Sequence, residues 1–103
     1  MPGAYPKFVP RPTLNWSEVG SEIVILDKEM GELLRLNSVA GFIWKQLNDQ
    51  KSIPEIAQAL STHFVVEKSQ AEQDTKKFLA ELHKLEIVEV KNGFQDRFIK
   101  PSI

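Results

Sequence analysis

The chain has 103 residues, 42% of them hydrophobic and 26% charged, the make-up of one small globular domain rather than a disordered or membrane-embedded chain. Thirteen basic against 14 acidic residues give a net charge of −1, which provides no electrostatic footprint for a dedicated nucleic-acid binder. Cysteine is absent, which excludes disulfides, thiolate nucleophiles and thiolate-bound metals together.

Residues 1–12 hold four of the six prolines, and because each fixes its φ and removes a donor, the stretch predicts an extended arm. Over residues 13–37 the apolar period is two. Leu14 and Trp16 alternate with Thr13, Asn15 and Ser17, as in a strand buried on one face. Residues 23–26 run without a polar break, as expected of a strand covered on both sides. Residues 27–31 read as a loop and Glu32 to Leu36 as a third strand. Short connections make an antiparallel meander the simplest topology.

At Asn37 the period changes to 3.6. Asn37 is a good N-cap, followed by a stripe of Val39, Ala40, Ile43, Trp44 and Leu47. Ser52 and Glu55 have the spacing of a capping box, with Pro54 in the first turn and a stripe of Ile56, Ala57, Leu60 and Phe64. Ser69 with Glu72 repeats that spacing ahead of Ala71, Thr75, Phe78, Leu79, Leu82 and Leu85. Residues 87–90 then alternate, and Asn92-Gly93 predicts a two-residue turn returning over 94–99. The expected fold class is α+β: a three-stranded antiparallel sheet packed on a three-helix winged-helix-like bundle, with a C-terminal hairpin. Its divisions are the arm at 1–12, the body at 13–91 and the hairpin return and tail at 92–103. No apolar run is long enough to span a membrane and no signal-like segment opens the chain, so the cytoplasm is the expected location.

The chemistry-bearing residues point away from catalysis. His63 and His83 have no second ligand at useful spacing, so both read as surface histidines and no metal is expected. The glycines build no phosphate loop, and no serine has a histidine–acid constellation, so neither cofactor nor catalytic residue is expected. Glu72, Asp74, Glu81 and Glu86 share the third helix with Lys76, Lys77 and Lys84, and Asp74, Lys77 and Glu81 stand at contact spacing. Mixed signs of this kind suit a peptide better than a phosphate backbone. The third strand carries one charge over 33–36, Arg35, and no proline or bulge. Edge strands are usually better defended against foreign pairing. Such an edge is either covered by the arm or the tail hairpin, or open to a partner strand that adds by main-chain hydrogen bonds.

The run Gly31-Glu32-Leu33-Leu34-Arg35-Leu36-Asn37-Ser38-Val39-Ala40-Gly41-Phe42-Ile43-Trp44 resembles the PqqD-like family, the small proteins of pyrroloquinoline quinone biosynthesis and their relatives, the precursor-peptide recognition elements. Ser52-Ile53-Pro54-Glu55-Ile56 is similar to the family's second-helix start. Phe64, Asp74, Phe78-Leu79, Leu82 and Leu85 match its later pattern, so the likeness extends over residues 14–88. Two departures stand out. Asp49-Gln50 occupies a place where the family often has Asp-Gly, and Glu86-Ile87 a place where it often has Gly-Leu.

The resemblance implies a body that holds the leader segment of a ribosomally made precursor peptide as a fourth strand and presents it to a modifying enzyme such as a radical-SAM protein, a cyclase or a peptidase. The receiving strand would be Glu32, Leu33, Leu34, Arg35 and Leu36. The facing wall would come from Gln73, Asp74, Lys77, Phe78 and Glu81 on the third helix. The competing readings are a winged-helix DNA binder, for which the third helix is too acidic, and an interaction module that uses the same edge to form a homodimer.

Overall fold

Strands and helices arise where the apolar period changes. In the computed structural model, which describes residues 7–91, the order is β1 (Lys7–Pro10), β2 (Asn15–Val19), β3 (Glu22–Asp27), β4 (Glu32–Leu36), α1 (Ser38–Asn48), α2 (Ile53–Phe64), α3 (Lys68–Lys84) and β5 (Val88–Lys91). β2, β3 and β4 form an antiparallel meander in that order, with Trp16 opposite Ile25 and Ile25 opposite Leu34. Gly20 and Gly31 turn the chain at φ +66° and +69°, backbone that glycine adopts without Cβ strain.

The sheet is covered on one face only. Ile23, Ile25 and Leu36 are buried in the core with Ile43, Trp44, Ile56, Leu60, Leu79 and Leu82. On the other face Val24 is half-buried and Leu26 exposed, so the unbroken apolar run 23–26 does not mark a strand covered on both sides. β2 is exposed along its length, contrary to the expectation of a buried face. Its contact with the core is made by Trp16, whose ring meets that of Trp44 edge to face at 6.2 Å.

Asn37 caps α1 by accepting the Ala40 N–H at 2.9 Å. Where α1 crosses β3 there is no room for a side chain: a Cβ on Gly41 would lie 2.8 Å from Ile23 Cγ1. Val39 is exposed, and Gly41 takes a buried place on the helix instead. α2 opens with the full capping box, Glu55 N–H donating to Ser52 Oγ and Ser52 N–H donating to Glu55 Oε1. The second expected box does not form. α3 starts at Lys68 after Glu67, with no side-chain cap, which places Ser69 inside the first turn. Of the third stripe, Phe78 is half-buried and Leu85, the C-cap residue, is exposed.

The helices end alike. After α1, Lys51 N–H bonds Gln46 O and Gln50 N–H bonds Leu47 O, with Gln50 at φ +63°. After α3, Ile87 N–H bonds Leu82 O and Glu86 N–H bonds His83 O, with Glu86 at φ +61°. Both are Schellman closures, whose left-handed position ordinarily selects glycine. α2 has Val65 at φ +54° with Val66 N–H bonded to Ser61 O. The two departures from the family pattern therefore fall on Gln50 and Glu86, the positions where glycine would be unstrained.

The expected arm gives way to structure at Lys7. β1 pairs antiparallel with β5, with Phe8 opposite Val90 and its side chain packed against the core. β5 thus finds its partner near the other end of the chain. The Asn92-Gly93 turn and the return over 94–99 lie outside the described residues. No described helix is long and apolar enough to cross a membrane.

Candidate functional site

Because β1 and β5 pair with each other, neither covers the meander. Among the described residues the outer edge of β4 has no strand partner. Side chains alternate along it. Leu34 lies opposite Ile25 and Leu36 opposite Ile23, which puts Glu32, Leu34 and Leu36 on the helix side. Leu36 is buried, Leu34 half-buried and Glu32 exposed. Leu33 and Arg35 stand on the opposite, open face. The five residues expected to act together are therefore divided between two faces of the sheet, and Leu33 and Arg35 cannot line a groove on the helix side.

On α3, Gln73, Asp74, Lys77 and Glu81 are exposed, and Phe78 packs against the core. α3 lies chiefly against α2 and β5, while α1 meets β3 and β4. Asp74 Oδ1 accepts from Gln70 Nε2 at 2.9 Å, and Lys76 stands 4.0 Å from Glu72. The anticipated Asp74–Lys77 and Lys77–Glu81 pairs are not formed among the described residues. The surface is a mixed-charge face whose side-chain pairs among the described residues are Gln70 with Asp74 and Lys76 with Glu72.

Arg11, whose importance the sequence does not signal, fixes the β3–β4 turn that leads into the edge strand. Its guanidinium donates to Asp27, to Glu29 at 2.9 Å and to the carbonyl of Glu86. Asp27 is nearly fully buried, and its other carboxylate oxygen accepts the Met30 N–H at 3.2 Å, closing the turn. One side chain thus ties the β1–β2 connection, the β3–β4 turn and the end of α3.

Neither histidine stands with a ligand set. His63 stacks on Phe42 at 4.7 Å and His83 meets Phe8 edge-on at 6.5 Å. Among the described residues no group of three or more His, Asp or Glu could hold a metal ion. A cavity of about 380 Å³ lies between β1 and α1, lined by Phe8, Leu14, Trp16, Trp44 and Leu47 among others, and no residue of β4 or α3 borders it. An edge strand recognises by its backbone and needs no such cavity.

A small α+β domain of three helices and a three-stranded antiparallel meander, in which β4 is an outer strand without a strand partner among the described residues, is the class defined by this architecture. The chain belongs to the PqqD family: the model described as Coenzyme PQQ synthesis protein D matches residues 22–88. Among solved structures it is similar to TbiB1 in complex with the TbiA(beta) leader peptide, at 26% identity and a TM-score of 0.75, covering 79% of this chain and 94% of that one. It is also similar to lasso peptide synthetase B1 complexed with the leader peptide, at 29% identity and a TM-score of 0.75, covering 81% and 98%. No curated protein matches the chain.

Proposed function

We propose that this protein is a non-catalytic peptide binder that captures the leader segment of a ribosomally made precursor peptide by strand addition to β4 and presents it to a modifying enzyme, such as a radical-SAM protein, a cyclase or a peptidase. The carrying observation is the pairing of β1 with β5, which among the described residues leaves the β4 edge without a strand partner, in a chain similar to two proteins solved with leader peptides. Alternate residues of an antiparallel edge strand turn both N–H and C=O outward. Those groups supply affinity, and side chains beside the strand supply selectivity. On the helix side the selective groups are Leu34 with the α3 wall of Gln73, Asp74, Lys77, Phe78 and Glu81, Leu36 being buried in the core. The acids of that wall weigh against the DNA-binding reading, because they would repel a phosphate backbone. A cytoplasmic location, where precursor peptides are made, belongs to the same reading.

The test is hydrogen exchange with and without the cognate leader peptide. Slowed exchange at alternate amides of Glu32–Leu36 is expected. Protection confined to other elements overturns the proposal.

A further inference from the structure

Resting on the reading of β4 as the strand that receives the leader, we infer that the leader is read on the open face of the sheet as well: Leu33, backed by Leu26, takes an apolar leader side chain, and Arg35 takes an acidic one two residues away. Leu26 and Leu33 are cross-strand partners on that face, 38% and 62% exposed. Isolated exposed leucines are ordinary. Two that are paired at an unpaired edge form an apolar step that the next strand would extend. A side chain directly across from Leu33 on an added strand would sit at a Cβ separation of about 4.5–5.5 Å. Strand addition therefore brings a leader residue onto this step, whatever else it contacts.

Arg35 stands two residues along on the same face, opposite Val24. Its Nε lies 3.8 Å from Glu22 Oε1, and both side chains are exposed. An exposed pair at this distance is weak, and a guanidinium keeps further N–H groups for a second carboxylate. The leader residue beside Arg35 is accordingly acidic.

The spacing fixes a pattern. An antiparallel leader would present acid–x–apolar, and a parallel one apolar–x–acid, because strand direction reverses the order of the two outward residues. The residue between them faces the helix side, towards Leu34. The order of the pair thus reports the direction in which the leader lies.

The experiment is selection of a random peptide library displayed on phage, carried out on the full chain and on its Leu33→Lys and Arg35→Glu variants, each first shown to melt as the parent does. The parent should enrich peptides with an acid and an apolar residue two apart. Arg35→Glu should replace the acid by lysine or arginine, and Leu33→Lys should remove the apolar preference, with the intervening position unchanged in both. Hydrogen exchange with a selected peptide separates strand addition to β4 from recognition on the open face. Protection of β4 with an identical consensus in parent and both variants overturns the open-face inference and leaves strand addition standing. Selected peptides that protect no β4 amide, or a library that yields none, overturn strand addition and this inference with it. A parent dimer that Leu33→Lys renders monomeric assigns the step to a second copy and likewise overturns the inference.

Discussion

The guanidinium of Arg11 reaches the carboxylate of Asp27, joining the connection after β1 to the last residue of β3 with both side chains largely shielded from water. The neighbouring bond from Met30 N–H to Asp27 closes the turn into β4, so this pair sets where the edge strand begins. Arg11→Ala leaves a buried carboxylate without its cation, and the expected loss is about 3–5 kcal/mol. Asp27→Asn keeps an acceptor for Met30 and should cost less. Urea unfolding of both variants checks the order, and a loss for Arg11→Ala below about 1 kcal/mol would place the pair among ordinary surface contacts.

The helix ends predict gains rather than losses. Gln50, Val65 and Glu86 hold left-handed backbone that costs an L-residue roughly 1–2 kcal/mol, part of which glycine gives back through the entropy of the unfolded chain. Each glycine substitution should therefore raise stability by up to about 1 kcal/mol, most at the β-branched Val65. Thermal melts of the three single variants are sufficient. Three lowered melting temperatures would refute the strain.

Acid titration probes the start of α2. The Ser52 backbone N–H bonds the Glu55 carboxylate and holds its pKa below the ordinary value, against a smaller opposing effect of desolvation. A depressed carboxylate adds stability above its unfolded pKa and loses it as pH falls through the folded one. Glu55→Gln keeps the hydrogen bond without the charge. The stability gap between parent and variant should be constant above about pH 5 and shrink below it. A gap that stays flat to about pH 3 would show that the charge contributes nothing.

Asp74 separates binding from folding on the α3 wall. The side chain is exposed and bonded only to Gln70 among the described residues, so Asp74→Lys should leave stability within about 0.5 kcal/mol. Binding of a leader that presents a basic or hydrogen-bonding group there should weaken by about 1–3 kcal/mol, read by calorimetric titration. Unchanged affinity would remove Asp74 from the wall.

Much of the architecture was legible because it is written in local periods. Asn37 and Ser52 announce their helices by side-chain caps, and both caps form. Ser69 and Glu72 carry the same spacing without the box, because α3 already begins at Lys68 and a spacing motif does not know its own frame. The bounds missed were set at long range. Nothing near Lys7 signals a strand, because its partner is β5, and nothing near Arg11 signals Asp27 or the Glu86 carbonyl. For the candidate site, period two places Leu33 and Arg35 opposite Leu34 and Leu36. Which of the two faces the helices cover depended on packing, since residues 23–26 are apolar on both.

The β1–β5 ladder has a kinetic meaning. Lys7 and Lys91 pair across more than eighty residues of chain, so the ladder can form only after the intervening strands and helices have brought its halves together. The loop-closure entropy of that span is lost late in folding and regained early in opening. The ladder also closes part of the core, since Val88 is buried and Phe8 packs against it, so its opening would uncover that side of the core. In a refolding experiment the meander and bundle would acquire amide protection first, and the seam between the two outer strands would be the last to close.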